Sequence, residues 1–200
     1  MDDFDTFRKT ACVILSGGFS KRMNTHKALL GYDASESFLQ HLITVYKEIG
    51  IKTIIVVVNS DIRVDEIENC SSDVLFIKNE MPEIGRLYSL QLGLRQLFDM
   101  DYCFIQNVDS PFVNHVLITN LHKKRTEADY ITPVYDSKGG HPILISGGVV
   151  ETILKENNYD VSLKDLLVGF TRYKVATDDE CCLVNINTPE EYEKWFKNRC

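Results

Sequence analysis

The chain has 200 residues, of which 44% are hydrophobic and 26% are charged, and these globular values exclude a disordered, collagenous or coiled-coil protein. Its formal net charge of −7 argues against nucleic acid or an anionic membrane as the main partner, because overall repulsion would oppose binding. The longest apolar run, residues 54–58, is too short to span a membrane, and the acidic N-terminus is unlike a signal peptide. We therefore expect a soluble, cytoplasmic protein that forms a single domain over residues 1–200.

The charge is unevenly distributed along the chain. No acidic residue falls between Asp5 and Asp33, and five basic residues lie in that stretch: Arg8, Lys9, Lys21, Arg22 and Lys27. A locally cationic segment on an acidic protein suits a small polyanionic ligand, and a random fluctuation on a solvated face is the alternative. The six cysteines and five histidines show no spacing typical of a zinc site, so we expect reduced thiols.

Strand and helix patterns alternate along the chain. Strands are predicted at residues 11–15, 54–58, 74–77, 102–108, 130–134, 142–145, 173–176 and 183–186. Helices are predicted between Phe38 and Ile49, over the apolar positions 90, 94, 97 and 98, at 148–156, at 162–167, and from Pro189. No linker or repeat divides the chain, so this order predicts a layered α/β sheet with helices on both faces.

The segment after the first predicted strand is the strongest candidate for a ligand site, because α/β sheets bind ligands beyond the carboxyl ends of their strands. Gly17 and Gly18 would let the backbone present N–H groups to an anion. Ser20, Arg22 and Lys27 complete a phosphate cradle, in which Arg22 can bind bidentately and Lys27 acts as a point charge. The segment matches neither the P-loop nor the dinucleotide-binding fingerprint. A glycine turn followed by an exposed basic helix is the alternative.

Polar residues also follow three other predicted strands. Asn59 and Asn79 could recognise a base or a sugar through their amides, or could simply occupy turns. Asp109, before Ser110-Pro111, is suited to hold Mg²⁺, which prefers one or two carboxylates plus phosphate oxygens. An Asx turn or a helix cap is the alternative for Asp109, and the phosphate cradle on the neighbouring strand favours the metal.

The last predicted strand alternates apolar and polar residues, so Asn185 and Asn187 should share one face, opposite Val184 and Ile186. This face could contribute to the site. Alternatively, Asn187 or Thr188 could cap the helix that begins at Pro189.

These residues together resemble a known family. Residues 15–23, Leu-Ser-Gly-Gly-Phe-Ser-Lys-Arg-Met, followed by Lys27-Ala28-Leu29-Leu30, resemble the long signature of the MobA-like nucleotidyltransferases. The family contains molybdenum cofactor guanylyl- and cytidylyltransferases and their sugar-phosphate relatives. Further similar motifs, in the family's order, are Asp109-Ser110-Pro111, Gly140-His141-Pro142 and the run Asn-Ile-Asn-Thr-Pro-Glu at 185–190.

The resemblance implies a doubly wound, three-layer nucleotidyltransferase (Rossmann-like) fold with a mostly parallel sheet. It also implies Mg²⁺-dependent transfer of GMP or CMP from a nucleoside triphosphate to an acceptor phosphate, most simply that of molybdopterin, with release of pyrophosphate. Arg22 and Lys27 would neutralise the triphosphate, and Asp109 would bind Mg²⁺. The nucleotide would be bound by a set of residues that also includes Lys27: Leu15, Ser16, Gly17, Gly18, Ser20, Asn59, Asn79, Asn185 and Asn187.

The departures from the family pattern leave the base open. Asn24 replaces the glycine that follows Arg-Met. Gly17 is typical of guanylyltransferases, whereas Gly85 with Ser89-Leu90, and the Gly-His-Pro motif, are typical of cytidylyltransferases. The alternatives are a sugar- or polyol-phosphate nucleotidyltransferase and a non-catalytic nucleotide-binding chaperone of the same fold.

Overall fold

An eight-stranded sheet forms the centre of the computed structural model, which describes residues 7–16, 26–59 and 73–196. The strands are β1 (Thr10–Ser16), β2 (Thr53–Asn59), β3 (Val74–Asn79), β4 (Tyr102–Asn107), β5 (Tyr130–Tyr135), β6 (Lys138–Gly139), β7 (Ile143–Ser146) and β8 (Arg172–Ala176). Their order is β3-β2-β1-β4-β7-β5-β6, and β8 pairs with β5. β7 is antiparallel to β4 and β5, and β6 is antiparallel to β5, while all other pairs are parallel.

Helices cover both faces of the sheet, as the alternating pattern predicts. They are α1 (Phe38–Glu48), α2 (Arg86–Leu94), α3 (His115–Lys123), α4 (Gly147–Lys155), α5 (Leu163–Leu166) and α6 (Pro189–Phe196). The buried strand β1 divides its side chains between two cores, because successive residues of a strand point to opposite faces. Cys12 and Ile14 pack with α1, α3 and α6, whereas Val13 and Leu15 pack with α2, α4 and α5. The doubly wound, three-layer α/β fold is therefore confirmed.

Helix α2 lies unusually close to the sheet. A Cβ atom at Gly93 would be 2.6 Å from Cγ1 of Val13 and 3.0 Å from Cγ2 of Val57. Glycine is therefore the residue that allows this helix to contact β1 and β2 directly. The close packing fixes the first turn of α2, which begins at Arg86, relative to the carboxyl ends of the central strands.

Two predicted elements are wrong in part or in whole. The helix predicted through positions 97 and 98 ends at Leu94, and the Phe98 side chain is 88% exposed, so it packs on no core. The strand predicted at 183–186 is absent from the sheet: Glu180–Leu183 forms a 3-10 helix that Asp179 caps. The alternation at 184–187 instead reflects an extended segment that buries Ile186 alone.

The structure also contains elements that the sequence patterns did not predict. Helix α3 follows Asn114, whose side chain accepts a hydrogen bond from the Leu117 amide. The short strand β6 forms a hairpin with β5. In the described part of the chain, no helix is long and apolar enough to cross a lipid bilayer. Cys12, Cys103 and Cys182 are free thiols.

Candidate active site

Three predicted site residues from distant parts of the chain meet beyond the carboxyl ends of β1 and β4. The ammonium of Lys27 lies 3.2 Å from Oδ2 of Asp109 and 2.6 Å from Oδ1 of Asn187. The side chains of Lys27 and Asp109 are only 18% and 28% exposed, so water screens their interaction less than it would on an open surface. The ion pair therefore forms in a recess, with one face open to solvent.

The position of Asp109 follows from the pairing of β4 with β1. Leu15 of β1 is in register with Asn107 of β4, and the Val108 amide donates to the Leu15 carbonyl at 3.0 Å. The chain then turns, and the Ser110 amide donates to the Asn107 carbonyl at 3.2 Å. Asn114, not Asp109, caps the helix that follows. The helix-cap alternative for Asp109 is therefore excluded, and its carboxylate is directed to Lys27.

Asn187 is likewise not the helix cap. The Thr188 hydroxyl accepts a hydrogen bond from the Glu191 amide at 3.2 Å, and the Glu191 carboxylate accepts from the Thr188 amide at 3.1 Å. This reciprocal pair is a capping box, and it makes Thr188 the cap of α6. The side chain of Asn187 is thus left to contact Lys27, while Asn185 accepts a 2.6 Å hydrogen bond from the Ser110 hydroxyl.

A second hydrogen-bonded group, formed by Arg86, Asn107 and His141, adjoins this cluster. The guanidinium of Arg86 donates from Nη2 to Oδ1 of Asn107 at 2.8 Å, and Nδ2 of Asn107 lies 3.5 Å from Nε2 of His141. A guanidinium can only donate, so it fixes the orientation of the Asn107 amide, and Nε2 of His141 must then accept. Nδ1 of His141 therefore carries the proton in the neutral ring.

The pKa shifts of His141 and Arg86 agree with a neutral His141 ring. Burial and the nearby Arg86 lower the pKa of His141 to about 4, and the Asp109 carboxylate opposes this shift in part. His141 is therefore neutral at pH 7. Burial also lowers the pKa of Arg86 from its ordinary value, again opposed by Asp109, and Arg86 keeps its charge at any physiological pH.

The oxygen atoms around Lys27 fit a divalent cation. Asp109 supplies a carboxylate oxygen and Asn187 an amide oxygen, and both already bind a positive charge, the ammonium of Lys27. Mg²⁺ prefers hard oxygen ligands and commonly takes one or two carboxylates together with phosphate oxygens and water. Within residues 7–16, 26–59 and 73–196, no cluster of three or more His, Cys, Asp or Glu side chains forms a self-sufficient metal site. A metal held here would therefore need further ligands from a substrate or from water.

The remaining predicted residues fall into three groups. Leu15 and Ser16 end β1 and are buried, and Asn59 is buried at the end of β2. Asn79 is fully buried at the end of β3, where its amide donates to Ser89 Oγ and accepts from the Met81 amide, each at 2.9 Å. Asn79 therefore stabilises a turn and has no hydrogen bond to the Lys27 cluster. Four predicted residues lie outside the described part of the chain: Gly17, Gly18, Ser20 and Arg22.

Three residues of this region were missed as site residues by the sequence analysis. His141 stands inside the Gly140-His141-Pro142 motif, and Asn107 lies two residues before Asp109 at the end of a predicted strand, so both positions had a usable signal. Arg86 had a weaker signal: it is a lone cation at the start of the helix that follows β3. Only the fold shows that its guanidinium reaches Asn107 at the end of β4.

Comparisons with known proteins identify a family for this chain. The MobA-like NTP transferase domain family matches residues 12–172. The chain is 27% identical over 195 residues to a probable molybdenum cofactor guanylyltransferase of Bacillus mycoides (strain KBAB4), covering 92% of this chain and 94% of that protein. It is 23% identical over 181 residues to the molybdenum cofactor cytidylyltransferase of Escherichia coli (strain K12), covering 90% and 92%.

Solved structures show the same fold. The crystal structure of Rv0371c from Mycobacterium tuberculosis H37Rv has a TM-score of 0.80 at 18% identity, covering 94% of this chain and 98% of that one. Molybdopterin-guanine dinucleotide biosynthesis protein A from Archaeoglobus fulgidus has a TM-score of 0.70 at 15% identity, covering 94% and 97%. The family match covers most of the chain, and the nucleotidyltransferase fold agrees with it. The chain belongs to the MobA-like NTP transferase family and is a nucleotidyltransferase.

Proposed function

We propose that the protein transfers GMP or CMP from a nucleoside triphosphate to the phosphate of molybdopterin and releases pyrophosphate, with Mg²⁺ as the cofactor. The observation that carries this proposal is the contact of one cation, Lys27, with both Asp109 and Asn187. A cation and a carboxylate held together beyond the end of β1 suit a magnesium–triphosphate. The names of the curated relatives, guanylyl- and cytidylyltransferases of the molybdenum cofactor, support the acceptor.

The proposed reaction needs no covalent intermediate on the protein. An oxygen of the acceptor phosphate attacks the α-phosphorus of the nucleotide and forms a new phosphorus–oxygen bond. The bond between the α-phosphorus and the oxygen bridging to the β-phosphorus breaks, and pyrophosphate leaves with that electron pair. Because two anions must approach each other, the protein's task is to position them and to neutralise charge.

Each residue of the cluster has a definite part in this proposal. Asp109 and Asn187 would hold the metal, and Lys27 would move its ammonium from their oxygens to the phosphates. Mg²⁺ supplies positive charge that stabilises the transition state of phosphoryl-type transfer. Arg22, Gly17 and Gly18 would contact the triphosphate, and Leu15, Ser16, Ser20, Asn59 and Asn185 would complete the nucleotide site, while Asn79 would act only through the turn that it stabilises.

Pyrophosphate release tests the proposal. The protein is incubated with Mg²⁺, with each of GTP, CTP, ATP and UTP in turn, and with molybdopterin, a sugar phosphate or a polyol phosphate. We expect pyrophosphate only with molybdopterin, and only with GTP or CTP. Turnover with a sugar or polyol phosphate instead would favour that alternative.

Binding of nucleotide without turnover would favour the other alternative function, a non-catalytic nucleotide-binding chaperone. A thermal-shift series with the same four nucleotides and Mg²⁺ measures binding independently, since a ligand that binds only the folded state raises the melting temperature. Stabilisation by a nucleotide, together with no pyrophosphate from any acceptor, would contradict the proposed enzyme function.

A further inference from the structure

A cavity of about 300 Å³ opens between α2 and the segment that joins α4 to α5. Arg86, Leu87 and Leu90 of α2 form one wall, and residues 159–164 form the other. Its volume is at the lower end of the range of about 300–1,000 Å³ that is typical of small-molecule sites. The walls combine apolar side chains with charged and hydroxyl groups, as such sites commonly do.

The cavity is held in shape by hydrogen bonds that do not involve a ligand. The buried Gln91 of α2 donates from Nε2 to the carbonyls of Ile153 and Glu156, at 2.8 and 2.7 Å. The ring of Tyr159 meets that of Tyr88 edge-on, with centroids 5.4 Å apart. Both contacts tie the 156–162 segment to α2. The pocket is therefore preformed, so binding need not order its walls.

Arg86 connects this cavity to the Lys27–Asp109–Asn187 cluster. It lines the cavity with a side chain that is buried at the guanidinium and otherwise reaches solvent, and its Nη2 donates to Asn107, two residues before Asp109. Among the described residues, Asn107 is the only hydrogen-bond partner of the Arg86 side chain. The hydrogen bond to Asn107 fixes the guanidinium plane and leaves further N–H groups for a ligand, because a guanidinium has five N–H donors.

We propose that this cavity binds the acceptor substrate, with Arg86 holding the acceptor's phosphate and the wall of Leu87, Leu90 and Tyr159 holding its ring system. This inference rests on the function proposed above and adds the location of the second substrate. The lining carries two cations, Arg86 and Lys164, against one carboxylate, Asp160, so its net positive charge is complementary to the acceptor's phosphate. The location also suits the chemistry, since a phosphate on Arg86 lies beside the cluster that binds the nucleotide.

In this proposal, Asn107 and His141 position the guanidinium of Arg86. His141 is held by the hydrogen bond from its backbone amide to the Cys182 carbonyl at 2.8 Å, and its Nε2 faces Nδ2 of Asn107. The Asn107 amide is thereby fixed between a donor and an acceptor, and its Oδ1 stays directed at Arg86. Asn107 orients the guanidinium and does not itself contact the substrate.

The test measures whether Arg86 recognises the phosphate. Equilibrium binding of molybdopterin and of its dephosphorylated form is measured anaerobically for the wild-type protein and for Arg86→Gln. We expect the wild type to prefer the phosphorylated form by about tenfold or more, as charge-assisted hydrogen bonds allow. Arg86→Gln should reduce this preference to about twofold or less while the affinity for GTP or CTP with Mg²⁺ is unchanged.

Hydrogen exchange localises the binding, and Lys174→Gln is the matched control. Molybdopterin should slow amide exchange in residues 157–163, and nucleotide alone should not. Lys174 is exposed on β8, so its variant should keep the wild-type preference. Melting temperatures of both variants confirm that they are folded.

Three results would overturn the assignment of the cavity to the acceptor. The first is an unchanged preference of Arg86→Gln for phosphorylated molybdopterin, and the second is a loss of nucleotide affinity in that variant as large as its loss of acceptor affinity. The third is that neither form of molybdopterin binds the wild type. Pyrophosphate release is scored separately. If turnover occurs with molybdopterin but Arg86→Gln keeps the preference, the cavity is wrong and the proposed function stands. If turnover occurs only with other acceptors, the proposed function is wrong.

Discussion

The backbone amide of Ile186 donates a 2.7 Å hydrogen bond to the carbonyl oxygen of Asp109. This bond joins the segment before α6 to the turn after β4, although neither segment belongs to a strand at that point. Ile186 is fully buried, so its neighbours Asn185 and Asn187 face the opposite way, toward solvent and the site. One hydrogen bond and one buried side chain therefore bring Asn187 to Lys27.

Replacing the Asp109 carboxylate should abolish metal-dependent turnover without unfolding the protein. Asp109→Asn keeps the backbone carbonyl that binds Ile186, but it removes the charge that we assign to the metal. We expect pyrophosphate release to become insensitive to Mg²⁺ concentration and to fall to background, with little change in melting temperature. Asp101→Asn, an exposed carboxylate before β4, is the control and should behave as wild type. Undiminished turnover in Asp109→Asn would remove Asp109 from the site.

Removing the Lys27 ammonium should slow turnover strongly. Lys27→Ala should cost roughly 2–4 kcal/mol of transition-state stabilisation, by analogy with the loss of one preorganised electrostatic donor, which corresponds to about 30- to 1,000-fold in kcat/KM. The measurement is steady-state pyrophosphate release, with Lys174→Ala as a surface control. A loss smaller than about tenfold would mean that Lys27 does not contact the reacting phosphates.

Removing the cap of α6 should lower the stability of the protein. Thr188→Ala deletes the hydroxyl that accepts from the Glu191 amide, and the loss of an N-cap typically costs about 1 kcal/mol of the free energy of unfolding. Urea denaturation measures this difference. Thr188→Ser keeps a hydroxyl and should stay within about 0.5 kcal/mol of wild type, since surface changes that preserve such a feature cost little. Equal losses in both variants would argue against the capping box.

The stability of the protein should fall in acid partly because of His122. Burial and the nearby Arg125 lower the pKa of His122 from 6.5 to about 4, and its Nε2 lies 2.9 Å from the Thr10 hydroxyl. Between these two values the unfolded chain binds a proton that the folded protein excludes. The free energy of unfolding therefore declines as the pH falls from 6.5 to 4, by up to about 1.4 kcal/mol per pH unit for this group. His141, whose pKa is also about 4, adds to the decline.

Denaturation of His122→Phe at several pH values isolates this contribution. The variant loses the hydrogen bond to Thr10, so we expect it to be less stable than wild type at pH 8. Its free energy of unfolding should decline less steeply than that of wild type between pH 6.5 and 4. Thr10→Val removes the same hydrogen bond but keeps the buried imidazole, so it should keep the wild-type slope. Parallel slopes for wild type and His122→Phe would contradict the assignment.

The sequence predicted most of the sheet and placed Asp109 and Lys27 near its carboxyl edge, because both depend on local patterns. Buried strands such as β2 are continuous apolar runs, and Asp109 and Lys27 lie in short motifs. The alternation in 184–187 correctly predicted the faces of Asn185 and Asn187. It wrongly predicted a strand, since alternation reports one buried face and not hydrogen bonding to a neighbouring strand.

The features that could not be predicted depend on distant parts of the chain. Arg86 and Asn107 are separated by 21 positions and are brought together only by the packing of α2 on the sheet. That packing in turn depends on Gly93, which a sequence reading counts as an unfavourable residue within a helix. From the sequence, Asn187 could equally cap α6 or belong to the site, and only the structure shows that Thr188 is the cap.

The reversed direction of β7 has a consequence for how this molecule could diversify. Every parallel strand presents its last residue at the ligand edge, but β7 presents its first, so the 136–142 hairpin tip enters the site from the opposite direction. At that tip, a Cβ on Gly140 would collide with the Cys182 carbonyl, which limits how the backbone can vary there. The exposed residues 136–138 of the tip, unlike His141, can change without disturbing β4. This side of the molecule can therefore vary in sequence while the central strands are inherited intact.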